Sequence, residues 1–501
     1  MPEKLDIVLI NPGNRAQIYQ GFGLRFAAVE PPYLTASIAS YLRNQKLGIA
    51  IIDANAENLS PEATAKKVEK LRPRLAAVIV YGSQPSASTQ NMTAAEQICE
   101  AVSQTKSCRV AIAGLHPSAL PEKTFEEAGA DFVIEGEEQL PLQYLAERLN
   151  NNSADYSQVP GLWYRDNGEV KHNPRAPLWQ DLDKYLPTAA WDLLPMDRYR
   201  AHNWHSLNDI EHRSPYGAVY TSLGCPYACE FCCINAPFSL PGERHTIRTK
   251  SSDLAVSEME FLAREYGVRH LKIVDEMFVL QERHYMGIVD KLIEKDLGLN
   301  IWAYARVDTV KPETLQKMKR AGINWLALGI ESADSKVRDS ARKHLDKSQI
   351  VDIVKTIQDA DINVMGNYIF GLPDDTRETM QETFDLATRL NTEWANFYCA
   401  MAYPGSALYL RAIRENWQLP NTWHDYSQHS YDTVPLPTKY LSAAEVLAFR
   451  DQSFASYFTN SNYLDMIEKK FGRPAREHIL EMTKVKPERK ILKSVSTSSC
   501  Q

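Results

Sequence analysis

Three cysteines stand in the run Thr221-Ser-Leu-Gly-Cys225-Pro-Tyr-Ala-Cys229-Glu-Phe-Cys232, a Cys-x3-Cys-x2-Cys spacing that constrains this chain more than any other segment. Three thiolates on one short loop suit three irons of a cubane 4Fe–4S cluster, because soft sulfur ligands match iron–sulfur centres. A ferredoxin-type site would bring a fourth cysteine, and none follows at a suitable spacing. One iron would then be left open, which fits binding a reactant rather than only passing electrons. A tetrahedral zinc site needs four closed ligands, usually as two Cys-x2-Cys knuckles. Adjacent Cys232 and Cys233 would hardly both ligate one zinc, so Cys233 reads as a non-ligand neighbour.

At 501 residues the chain is too long for one core, and two or three domains are expected. Hydrophobic residues at 44% and charged residues at 24% are those of a globular protein. The formal net charge of −7 and the absence of a dense Lys/Arg block argue against nucleic acid. No apolar run approaches the ~20 residues of a membrane span. The opening Met-Pro-Glu-Lys-Leu-Asp-Ile-Val-Leu-Ile enters a strand without a signal-peptide pattern. Eight cysteines, three clustered, suggest reduced cytoplasm rather than a disulfide framework. The last residues, Ser494 to Gln501, read as frayed.

Residues 5–140 alternate apolar strands with helical patterns, the signature of a parallel sheet wound with helices. Strands are expected at Leu5–Ile10, Ile49–Ile52, Leu75–Tyr81, Val110–Ala113 and Phe132–Ile134. Ligands of such sheets lie beyond the carboxyl ends of the strands. Those ends carry Asn11-Pro-Gly-Asn14, Gly82-Ser83-Gln84-Pro-Ser86-Ala-Ser88-Thr89, Gly114-Leu-His116 and Glu135-Gly136-Glu137. Without Gly-x-Gly-x-x-Gly, this rim is a poor dinucleotide site.

Between about 146 and 214 the chain is a connector, with Asp166-Asn-Gly168 as a hairpin turn, Trp191 in the proline-punctuated stretch Leu186–Pro195, and Trp204 between His202 and His205. Aromatics of a linker are expected to pin it onto neighbouring domains; lining a cavity is the minor alternative. From 215 to 410 the βα rhythm resumes with six strands, at Ala218–Thr221, His270–Val274, Ile301–Ala305, Trp325–Ile330, Val364–Phe370 and Trp394–Ala402. Polar groups gather at their carboxyl ends, as in barrel-type active sites. Residues 411–501 read as a mainly helical segment, with Leu447, Phe454 and Phe458 on one face toward the barrel. The loop at 423–431 could cap the barrel mouth there.

The cysteine run, with Phe231 just before the third cysteine, resembles the signature of radical S-adenosylmethionine (SAM) enzymes. The loops of residues 1–145 resemble the cobalamin-binding domain found in front of many such cores. The resemblance implies an α/β chain: a Rossmann-like cobalamin-binding domain at 1–145, a linker at 146–214, a partial (β/α)6 barrel at 215–410 and a helical segment at 411–501. It also implies three cofactors: a 4Fe–4S cluster on Cys225, Cys229 and Cys232, SAM, and cobalamin. SAM would be met by Phe231, Asp275, Glu276, Arg306, Glu331, Ser332 and Asn367, although Glu331 and Arg306 could instead form a structural ion pair. Cobalamin would be met by Asn14, Ser83, Gln84, Ser86, Ser88, Thr89, Gly114, His116, Gly136 and Glu137.

One departure is informative. Where related cobalamin domains carry Asp-x-His-x-x-Gly, this chain reads Asp53-Ala-Asn55-Ala-Glu57, so the histidine that would ligate cobalt from below is missing. His116 is a substitute candidate; a hydrogen bond to the corrin, or a packed loop histidine, is the preferred reading.

The function implied is methyl transfer from methylcobalamin to an unactivated carbon of a small molecule, initiated by a 5′-deoxyadenosyl radical. An electron donor of flavodoxin or ferredoxin type is implied, with no nucleic-acid or membrane partner. A non-methylating rearrangement, cyclisation or oxidation is the alternative within the same architecture. A non-catalytic corrinoid or iron–sulfur sensor or carrier is the alternative from another class.

Overall fold

The computed structural model describes residues 5–493 apart from 83, 241 and 344. Ser83 and the tail from Ser494 therefore lie outside the described residues. The N-terminal sheet holds β1 (Ile7–Asn11), β2 (Ile49–Asp53), β3 (Leu75–Val80), β4 (Arg109–Gly114) and β5 (Phe132–Ile134), all parallel, in the order β2-β1-β3-β4-β5. Every residue of β3 is fully buried, as a strand covered by helices on both faces requires.

The connector hairpin, β6 (Leu162–Asp166) and β7 (Glu169–His172), pairs antiparallel onto β5 and extends the same sheet to seven strands. Its turn places Asn167 at φ +50° and Gly168 at φ +88°, the left-handed pair that a two-residue hairpin of this twist demands.

The second unit is a six-stranded parallel sheet. Its strands are β8 (Tyr216–Val219), β11 (His270–Ile273), β12 (Asn300–Arg306), β13 (Ile323–Glu331), β14 (Asn363–Phe370) and β15 (Trp394–Cys399), paired in that order. A short ribbon, β9 (Ser222–Leu223) with β10 (Arg248–Thr249), brackets the cysteine loop. Helices alternate with the strands; Ser251 caps one of them, its hydroxyl accepting the Leu254 N–H at 3.2 Å. Three C-terminal helices, Ala443–Phe458, Ser461–Phe471 and Arg473–Lys484, follow, and the first packs on β15 through buried Leu447 and Phe458. They make up the mainly helical segment that the sequence pattern indicated.

The two units are locked by a buried charge network. Lys250 Nζ lies 3.0 Å from Glu258 Oε2 and donates to the Tyr33 hydroxyl at 2.9 Å, with neither the Lys250 nor the Glu258 side chain exposed. The other carboxylate oxygen accepts the Ala189 N–H at 2.7 Å and the Trp191 indole N–H at 3.1 Å. One carboxylate thus ties the N-terminal domain, the connector and the core. Trp191 pins the linker, as its composition suggested. Among the described residues no helix is long and apolar enough to cross a membrane.

Candidate active site

The cysteine loop follows β8 and is fixed from both ends. Asp275, just beyond β11, accepts the Thr221 N–H at 2.6 Å, the Thr221 hydroxyl at 2.5 Å and the Ser222 hydroxyl at 2.7 Å. Asn235 accepts the Cys225 N–H at 3.3 Å and donates to the Cys225 carbonyl at 3.1 Å. Gly224, at φ +84°, makes the turn into the loop, where a Cβ would fall 2.5 Å from the Thr246 carbonyl oxygen.

The seven described cysteines are all free thiols. Burial pushes Cys225 up to about 11 and Cys232 well above the ordinary thiol value. Burial also raises Cys229, against the opposing charges of Lys343 and Arg306. Such thiols become thiolates only when a metal displaces their protons. Cys225, Cys229 and Cys232, in Cys-x3-Cys-x2-Cys spacing, suit the donor set of an open cubane better than a closed zinc site. Cys233 is 2% exposed and burial raises it to about 12.

Beyond the loop lies a cavity of about 510 Å³ between the carboxyl ends of the two sheets. Phe231, Cys232, Glu276, Arg306, Glu331 and Asn367 line its core side. Arg306 pairs with Asp308 at 2.9 Å and lies 4.0 Å over the Tyr227 ring. Glu331 pairs with Lys343, so the alternative of a Glu331–Arg306 pair is not what the structure contains. Glu331 itself sits at φ +64° in a register shift between β13 and β14, a strained conformation of the kind that clusters at functional sites. Gly329 leaves room beside it, since a Cβ there would fall 2.6 Å from Glu331 Oε1. The carboxylate and the ammonium that occupy that space at the cavity wall are of a chemistry that fits an amino-acid end group such as that of SAM.

Two residues expected at this wall turn inward. Asp275 is fully buried and spends its carboxylate on Thr221 and Ser222. Ser332 is fully buried, its hydroxyl 3.2 Å from that of Thr383. Glu276 takes the cavity position, and burial, reinforced by Asp275 and opposed by Lys272, raises its carboxyl to about 8. Asn367 accepts from Asn396 at 3.0 Å and donates to the Leu328 carbonyl at 3.2 Å.

The opposite wall is the rim of the N-terminal sheet: Pro12, Asn55, Gly82, Gln84, Ser86 and Ala87. Gly82, Ser86 and Ala87 are small side chains that would admit a corrin edge, and Asn55 stands beside them where a lower cobalt ligand would come from. The other expected residues form a supporting layer. Thr89 lies 3.1 Å from His116 Nδ1, and Ser88 accepts the His116 N–H at 2.9 Å while donating to the Val80 carbonyl. Gly114, at φ +131°, lets β4 approach β3 where a Cβ would strike the Val80 carbonyl. His116 is 1% exposed, its ring 4.4 Å edge-on from that of Trp423, and burial lowers it to about 3. It is a packed histidine, placed in the short helix Leu115–Ala119 rather than in a loop.

Asn14 is exposed and caps the next turn by accepting the Gln17 N–H at 3.2 Å. Gly136 donates its N–H to Ser118 at 2.9 Å, and Glu137 pairs with Arg248 at 2.7 Å, joining the two units.

The cavity also holds groups that no local pattern announced. Glu30 lies 3.2 Å from Lys272 and 3.2 Å from His202, and Lys272 sits 4.6 Å over the Trp302 ring. Trp204 packs 5.2 Å from Trp302 at the cavity wall, so the minor alternative for the linker aromatics applies to this one. Gln428 and His429 reach the cavity from the C-terminal loop, which caps it.

These features define a cubane-type cysteine loop at the carboxyl ends of a parallel half-barrel, facing the ligand edge of a doubly wound sheet. The chain carries a radical SAM superfamily domain, matched over residues 219–387, and a B12 binding domain, matched over residues 21–146. Its cofactors are those of the two domains: a 4Fe–4S cluster, SAM and cobalamin. It is 28% identical over 462 residues to an uncharacterized methyltransferase of Pyrococcus horikoshii, covering 92% of this chain and 94% of the relative. It is 25% identical to the anaerobic magnesium-protoporphyrin IX monomethyl ester cyclase of Cereibacter sphaeroides, over 88% of this chain and 68% of that protein. In fold it is similar to the radical SAM methyltransferase TsrM of Kitasatospora setae, with a TM-score of 0.67 at 16% identity, covering 91% and 88% of the two chains.

Proposed function

We propose that this chain is a cobalamin-dependent radical SAM methyltransferase acting on an unactivated carbon of a small molecule. The observation that carries the reading is one shared cavity, bounded by Cys232 on one side and by Asn55, Gln84 and Ser86 of the cobalamin-type rim on the other. When bound, the three cofactors supply an electron, a carbon-centred radical and a transferable methyl group. The need for both SAM and cobalamin is chemical: the SAM methyl is electrophilic, and a carbon without lone pair or acidic proton does not attack it.

The residues do the holding. Cys225, Cys229 and Cys232 would ligate three irons; Glu276, Glu331 with Lys343, and Asn367 would orient SAM beside them. Asn55, with Gln84 and Ser86 at the start of the helix Pro85–Thr105, would seat the corrin. Trp204, Trp302 and Tyr304 would exclude water around the substrate, with Lys272 and Glu30 as the polar anchors. A one-electron donor of flavodoxin or ferredoxin type, in the cytoplasm, completes the reading.

The likeness to a cyclase favours a second reading, ring closure or oxidation without methylation. Anaerobic incubation of the reconstituted protein with cell extract and methyl-labelled SAM, followed by mass spectrometry, separates the two. A product carrying the labelled methyl is expected; 5′-deoxyadenosine together with an unlabelled, transformed product would establish the second reading instead.

A further inference from the structure

A cluster outside the cavity has no part in the chemistry above. In the C-terminal loop, His424, Asp425 and Asp432 each bring one ligand atom to within 4.8 Å of the others. His424 Nδ1 lies 3.0 Å from the Thr422 hydroxyl and 3.3 Å from that of Thr93, on the helix Pro85–Thr105 of the N-terminal domain. The Thr422 hydroxyl is also 3.4 Å from Nε2. Two threonine oxygens thus favour the proton on Nδ1, as partners behind a metal-bound histidine do.

That tautomer leaves a lone pair on Nε2, facing Asp425 Oδ1 at 3.2 Å. Asp425 is 5% exposed, and this Oδ1 is buried without a hydrogen-bond donor. In that tautomer the two facing acceptors make a seat for a cation. Their separation matches the edge of a tetrahedron built on bonds of about 2.0–2.1 Å, roughly 3.3 Å. Asp432 is met at 2.8 Å by Lys490, whose side chain is 70% exposed and free to swing away.

We infer that His424, Asp425 and Asp432 bind one divalent metal ion of the zinc type, clamping the loop that caps the cavity onto the N-terminal domain. One imidazole and two carboxylates, with water as the fourth ligand, are a set that zinc accepts. The clamp joins the helix bearing Thr93 to the loop that carries Gln428 and His429 into the cavity, so metal and cap are coupled.

The test uses the protein reconstituted with cluster and cobalamin, so that the loop thiols are occupied. Zinc is titrated with thermal unfolding as the readout, and metal content is measured after gel filtration. One retained zinc per chain and a raised unfolding midpoint are expected. His424→Ala and Asp432→Asn should each weaken binding by about tenfold or more, the second at a half-exposed position where folding is safe. Lys490→Ala should tighten it, because the competing ammonium is gone. Binding that is absent, unchanged in both ligand variants, or obtained with magnesium but not zinc would overturn the assignment.

Discussion

The carboxylate of Asp275 accepts the backbone N–H of Thr221 at 2.6 Å, so the end of β11 sets where the cysteine loop begins. The neighbouring Glu276 faces the cavity instead. Two adjacent acids are thereby divided between building the loop and meeting a ligand.

Substitution should separate those two jobs. Asp275→Ala leaves the Thr221 N–H buried without an acceptor, a cost of about 1–3 kcal/mol. Lower iron content after reconstitution and a lower unfolding midpoint are expected. Glu276→Gln should retain iron and the midpoint while losing SAM cleavage, read as 5′-deoxyadenosine.

Cys225→Ala, Cys229→Ala and Cys232→Ala should each abolish 5′-deoxyadenosine formation, because an open cubane that loses one of three ligands is under-coordinated. Cys233→Ala should keep most of it. Retention of the cluster in Cys232→Ala together with its loss in Cys233→Ala would shift the register by one residue.

Cobalamin bound to this protein should have no histidine on its lower face. Asn55 occupies the position that would supply it, and His116 is held 3.1 Å from Thr89 and packed against Trp423. The cob(II)alamin form should show cobalt lines without nitrogen triplets in electron paramagnetic resonance. Triplets that disappear in His116→Ala would name His116 as a ligand.

Glu138 gives the apoprotein a pH signature. Its carboxyl accepts from the Tyr81 hydroxyl at 2.5 Å, yet burial raises it to about 8. The folded state then holds a proton that the unfolded state releases near the ordinary carboxyl value, so this group lowers stability as pH rises. Relative to Glu138→Gln, the wild type should lose stability from about pH 5 to about pH 8, by about 1.4 kcal/mol per unit of separation in the limit. Parallel stability curves for the two proteins across that range would contradict the assignment.

The Lys250–Glu258 pair should behave as a buried charge network. Glu258→Ala strands an ammonium among Tyr33, Trp191 and the Ala189 amide, at a cost of about 3–5 kcal/mol. Denaturant unfolding of the apoprotein checks this.

What the sequence determined by itself was everything carried by local spacing. The cysteine register needs only one loop. Strand positions follow from continuous apolar runs such as Leu75–Val80, and the hairpin follows from Asn167-Gly168, which tolerates a positive φ. The missing lower ligand at Asn55 is a local reading as well.

Tertiary structure decided how neighbours divide their work and which distant residues meet. Asp275 and Glu276 are alike in sequence, and only the approach of Thr221 and Ser222 to one of them consumes its carboxylate. Glu331 finds Lys343 twelve residues on, rather than Arg306, because the bulge after Gly329 turns it that way. Glu30, His202 and Lys272 come from three separate segments, and so do Thr93, His424 and Lys490. No periodicity records such meetings, since packing between units brings these side chains together only after each unit has folded.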